Sequence, residues 1–228
     1  QRLNDPALLF EAGIGGILSH QAGAVETLVT DLLIVMALEV ESQGMFEREA
    51  VPVLFTGVGK VNATHALTRR LADIRHVGSA LPHVVNFGTA GSHTFTTGTV
   101  VACRRFVQRD MDVTALGFTR GATPFDAAPP MLEFPETLPT LPHGTCSSAD
   151  AFETRGPDVA CEVLDMEGYA LAKVCWLENA RFTCVKYITD GADHAAAGDW
   201  QANLPKAAAE FLAVYQSLAA PPRSSPAR

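Results

Sequence analysis

Leu32-Leu33-Ile34-Val35-Met36-Ala37 is an unbroken apolar run with no polar residue to mark a solvent face. It is too short for an ordinary buried helix and fits a strand covered on both sides, as in a parallel sheet. Similar runs recur at residues 51–55, 83–87, 99–103, 159–164 and 183–188. Helical stretches lie between them. Over residues 60–75, Val61, Ala63, Ala66, Leu67, Leu71 and Ile74 fall on one side of a helix, and residues 167–178 and 204–218 show the same kind of period. Strands alternating with helices predict an α/β chain: a single domain with a central mixed, largely parallel sheet flanked by helices. The domain is expected over residues 31–219, after a segment 1–30 to which no role can be attached and before a flexible tail 220–228 rich in proline and serine. Residues 121–144 hold six prolines and little periodicity, and read as a surface excursion.

The composition narrows the classes of partner. With 228 residues, 47% hydrophobic and 18% charged, the chain can bury one large core. A net charge of −8 without a basic cluster argues against nucleic acid, which is bound through grouped Lys and Arg. The apolar runs fall far short of the roughly 20 residues of a membrane helix. The five cysteines, 103, 146, 161, 175 and 184, sit mostly in apolar surroundings and read as reduced thiols of a cytoplasmic protein. No CxxC pair or HExxH helix is present, so no metal is expected.

In open α/β sheets the chemistry gathers beyond the carboxyl ends of the strands. Several polar residues stand there: Glu39 and Glu41 after the first run, Thr89 after the third, Asp165 and Glu167 after the fifth, and Asp190 after the sixth. In Thr56-Gly57-Val58-Gly59-Lys60 a glycine turn opens a helix and could aim backbone N–H groups at an anion. It matches neither the P-loop nor GxGxxG, and taken alone a tight βα turn is the plainer reading. In Phe87-Gly88-Thr89-Ala90-Gly91, small residues allow close approach to the backbone, and Thr89 brings a hydroxyl. Asp165-Met166-Glu167-Gly168 sets two carboxylates where an apolar strand meets an apolar helix. Capping accounts for Asp165 but less fully for Glu167, for which a sugar diol is an apt partner. Asp190, in Ile188-Thr189-Asp190-Gly191-Ala192-Asp193, taken alone is an N-cap.

Taken together and in order, Glu41, Thr89, Met166-Glu167 and Asp190 resemble the nucleoside phosphorylase superfamily, and within it the 5′-methylthioadenosine/S-adenosylhomocysteine nucleosidases. The likeness runs from about Leu32 to Leu218. It includes the segment Asp112-Val113-Thr114-Ala115-Leu116-Gly117-Phe118 and the stretch Ser148-Ala149-Asp150-Ala151-Phe152. Three differences stand out: a short connection between Glu41 and Val53, Lys186 where the family has arginine, and Leu38 where it has methionine. These leave the 5′ substituent open.

The resemblance implies hydrolysis of a purine N-glycosidic bond, with the nucleoside and water as the only partners and no cofactor. Asp190 would be the acid that protonates N7 of the leaving base, and Glu41 would activate the attacking water. Glu167, with Met166, would lie under the ribose and hold its hydroxyls. Thr89, Ala90 and Gly91 would form the ribose and base loop, Phe152 would stack on the purine, and Thr189 would flank the acid. Water rather than phosphate is expected because Glu41 stands where a phosphorylase would bind its anion. The alternatives are a nucleosidase for inosine, adenosine or futalosine, a phosphorylase, and a non-catalytic nucleoside-binding protein. Relatives complete the site across a dimer, so the resemblance also implies a homodimer.

Overall fold

A computed structural model describes residues 32–135, 138–153, 160–192 and 196–220. The expected N-terminal segment 1–30 and nearly all of the tail lie outside these residues. The elements are β1 (Leu32–Met36), α1 (Glu39–Ser42), α2 (Met45–Arg48), β2 (Val53–Phe55), α3 (Lys60–His76), β3 (His83–Gly91) and β4 (Val100–Gln108). They continue as β5 (Met131–Glu133), β6 (His143–Ser148), β7 (Val163–Asp165), α4 (Gly168–Glu178), β8 (Phe182–Asp190) and α5 (Ala196–Ala219).

The sheet is mixed, as expected, but it is not an open layer between helices. β3 pairs with β8, β8 with β4, β4 with β6, β6 with β7, and β7 returns to the end of β3, which closes a barrel. β1 and β2 extend it from β3, and β5 from β4. Closure depends on the length of β3 and β4, each of which serves two neighbours on one edge. Residues 83–86 of β3 pair with β1, whereas Gly91 pairs with β7; residues 100–103 of β4 pair with β8, whereas residues 105–107 pair with β5. Register shifts at Ala90/Gly91 and Cys103/Arg105 supply the local bend that such a change of partner needs. Apolar runs report strands but not closure.

Helices cover the sheet on both sides. On α3, Ala63, Leu67 and Leu71 repeat every fourth residue and are buried against the cluster that includes Leu171, Val174 and Phe106. Val61, expected on the same face, is instead 78% exposed, because it lies two residues out of that repeat. α5 covers the other side, where Phe211 and Tyr215 meet Phe87 and Phe46. It starts at Ala196, before the expected Leu204, and runs through Pro205 at the loss of one intrahelical hydrogen bond.

The 121–144 stretch also departs from expectation. It contains β5, and Leu132, Phe134 and Leu138 are buried. Leu132 and Phe134 carry a two-residue strand period that the surrounding prolines obscure. The strand expected over 159–164 is shorter and later, Val163–Asp165, with Val159 outside the described residues. All five cysteines are free, and four of them are buried.

Candidate active site

The barrel brings several strand ends together. Gly91 of β3 pairs with both Leu164 of β7 and Asp190 of β8, and Ser148 of β6 pairs with Asp165. A cavity of about 310 Å³ opens there. Glu41, Glu167 and Asp190 all line it, as do Met166 and Thr189. Thr89, Ala90, Gly91 and Phe152 also line it, so the structure gathers every residue to which the resemblance gave a site role; Glu39, also noted at a strand end, is exposed and does not line the cavity. Phe152 stands at the mouth, 54% exposed.

Glu41 is held by four hydrogen bonds and no cation among the described residues. The chain turns out of β1 into the one-turn helix α1, and the side chain folds back so that Oε2 accepts the N–H groups of Ala37 and Leu38, each at 3.2 Å. Oε1 accepts the N–H of Thr89 at 2.9 Å and its hydroxyl at 2.8 Å. The Trp200 indole N–H donates to that same hydroxyl at 2.9 Å. Indole can only donate and an ionised carboxylate can only accept, so the Thr89 proton is directed at Glu41. Trp200 lines the cavity from α5 but carries no sequence signal, because it lies within a helix past the aspartate block.

At the end of β7 two carboxylates take different partners. Asp165 pairs with Lys186 at 2.8 Å, both side chains almost fully buried, and also accepts the Ser148 hydroxyl and the Gly168 N–H. Burial opposes its ionisation, but the Lys186 ammonium and these donors outweigh burial and hold its pKa below the ordinary value. Glu167 points into the cavity, and Gly59 N–H donates to its Oε1 at 2.7 Å. Burial first, and then the charge of Asp165, push the Glu167 pKa up to about 8.

Asp190 accepts the Thr189 hydroxyl at 2.7 Å and the Ala192 N–H at 2.9 Å. Among the described residues, no cation lies within ion-pair distance of Asp190, Glu41 or Glu167. Arg109 is the one cation lining the cavity, and it is committed to main-chain carbonyls: those of Ser147, Asp165 (3.0 Å) and Ala151 (3.0 Å). The glycine turn at the start of α3 does bind anions, but they are the protein's own. Gly59 N–H holds Glu167, and Lys60 N–H holds Asp150 at 2.7 Å.

Five acidic residues line the cavity, Glu41, Glu153, Asp165, Glu167 and Asp190, and its one basic lining residue, Arg109, is engaged by main-chain carbonyls. Residues 39–220 match the phosphorylase superfamily, and the chain belongs to that family. It is 27% identical over 230 residues to the 5′-methylthioadenosine/S-adenosylhomocysteine nucleosidase of Haemophilus influenzae, covering 90% of this chain and 96% of that protein. Among solved structures it resembles the Helicobacter pylori nucleosidase of the same name, with TM-score 0.70, 21% identity and coverage of 82% and 97%. The futalosine hydrolase of that organism is as similar in shape, with TM-score 0.70 and 22% identity over 82% of this chain and 97% of that one.

Proposed function

We propose that the protein hydrolyses the N-glycosidic bond of a purine nucleoside of the methylthioadenosine/S-adenosylhomocysteine type, releasing the free base and a ribose derivative. The observation that carries this reading is the trio Glu41, Glu167 and Asp190 around one cavity, none with an ion-pair partner among the described residues, in a chain similar over most of its length to nucleosidases. Cleavage leaves positive charge on the sugar and negative charge on the base. Asp190 donates a proton to N7, so the base departs neutral. Glu41, its carboxylate aimed by four hydrogen bonds, takes the proton of the attacking water. Glu167 and Met166 lie against the ribose, where the Glu167 carboxyl holds the sugar hydroxyls, and the Glu41 carboxylate across the cavity stabilises the developing cation. Phe152 stacks on the purine, with Thr89, Ala90, Gly91 and Thr189 framing ribose and base.

Water fits as the nucleophile better than phosphate. A phosphate dianion beside Glu41 would meet repulsion, and Arg109 is already engaged by carbonyl oxygens. Exposed Leu116 (73%) and Phe125 (98%) suit burial against a second copy, so the working unit we propose is a homodimer. Free thiols throughout suit the cytoplasm. The test is incubation with methylthioadenosine, S-adenosylhomocysteine, adenosine, inosine and futalosine, with and without phosphate. Free base at the same rate in both buffers is expected; ribose 1-phosphate products would overturn hydrolysis.

A further inference from the structure

We propose that Lys60, Asp110 and Asp150 form a clasp across the cavity mouth that positions Glu167 and Phe152 for the substrate. The inference rests on the nucleosidase reading above, and it makes these three positioning rather than catalytic residues. The clasp joins three connections that leave different strands. Lys60 opens α3 after β2, Asp110 follows β4, and Asp150 follows β6. The Lys60 ammonium pairs directly with Asp110 and lies 3.6 Å from Asp150, while Asp150 N–H donates to Asp110 at 3.0 Å. The Lys60 main-chain N–H returns to Asp150 Oδ1 at 2.7 Å. Every member therefore touches both others.

Two consequences reach the cavity. The first runs through Gly59, the residue before Lys60, whose N–H is the one donor to Glu167 among the described residues. Gly59 has φ +92°, and a Cβ there would stand 3.1 Å from Asp150 Oδ1, so the clasp can close this tightly only over glycine. The second runs through Asp150 to Phe152, two residues further along the same connection, at the cavity mouth. An isolated surface ion pair contributes little to stability. This one differs because the Lys60 side chain is only 13% exposed and is held by two carboxylates and its own backbone. Burial of Asp110 opposes its charge, but the Lys60 and Asp150 hydrogen bonds outweigh that and hold its pKa below the ordinary value.

Lys60→Met keeps the aliphatic stem and removes the charge. Its KM for methylthioadenosine is expected to rise about tenfold, the loss of one charge-assisted hydrogen bond, with kcat within about twofold of wild type. Lys60→Arg should restore most of the loss. Amide hydrogen exchange should quicken together over residues 57–61 and 149–153 while the β3 amides stay protected. Should Lys60→Met fail to fold, Asp110→Asn carries the same test. An unchanged KM, or faster exchange confined to the first turn of α3, overturns the clasp. A wild-type protein that cleaves no nucleoside defeats the functional reading instead, and hydrogen exchange then still decides the clasp.

Discussion

Asp165 and Glu167 stand two residues apart at the end of β7 and are nearly equally buried, at 5% and 8% exposed, yet they are chemically different groups. Asp165 lines the same cavity but is met by Lys186, Ser148 and Gly168, and it remains an anion. Glu167 faces the cavity with one main-chain donor and holds its proton up to about pH 8. The same division extends across the molecule. Asp110, Asp150 and Asp126 have lysine partners, whereas Glu41, Glu167 and Asp190 have none among the described residues. A carboxylate with a cation serves the fold, whether buried like Asp165 or exposed like Asp110, Asp126 and Asp150; a buried one without a cation is left to work on something that enters.

The strongest challenge to this division is Asp190→Asn, which should fold normally and release base roughly 10²- to 10⁴-fold more slowly, the range for loss of a general acid. Near-normal turnover from the folded variant would remove Asp190 from the working group. On the structural side, Lys186→Met leaves the Asp165 charge buried without a partner and should cost about 3–5 kcal/mol, read by urea denaturation. Adding Asp165→Asn should recover part of that loss. A single variant as stable as wild type would show that the pair does not distinguish the two carboxylates.

The smallest effect expected is in the pH dependence of stability. The native Glu167 carboxyl keeps its proton to about pH 8, whereas the unfolded chain gives it up near 4.5. The stability it contributes is therefore complete below about pH 4.5 and is lost as pH rises through 8. Wild-type Tm should fall between pH 5 and 8 by roughly 10 °C more than that of Glu167→Gln. Parallel curves would mean that Glu167 is an ordinary carboxylate.

Much of the site was legible before the structure because it stands where apolar runs stop. Glu41, Thr89, Glu167 and Asp190 each follow a recognisable strand, and strand ends converge in a parallel arrangement. What escaped had no such marker. β6 reads His143-Gly144-Thr145-Cys146-Ser147-Ser148, a polar string that is buried within the barrel wall, with Thr145 N–H taken by Glu162 and Ser148 bonded to Asp165. Barrel closure depends on β3 and β4 changing partners midway, and a single chain's hydropathy does not record pairing. Arg109 reads as one more charge in a polar segment, yet it is buried and ties three carbonyls together at the cavity wall. The glycine turn read more plainly as a tight βα turn than as an anion holder; that it holds Glu167 and Asp150 depends on contacts about a hundred residues apart in the chain.

Trp200 is one of only two tryptophans in the protein; the other, Trp176, lies on α4 beside Lys173. Its indole looks into the cavity, and its N–H is the first link of a chain that ends on Glu41. Anything that settles against Glu41 therefore changes the polarity around an emitting ring. The protein carries its own optical gauge of occupancy, readable without a label and without turnover.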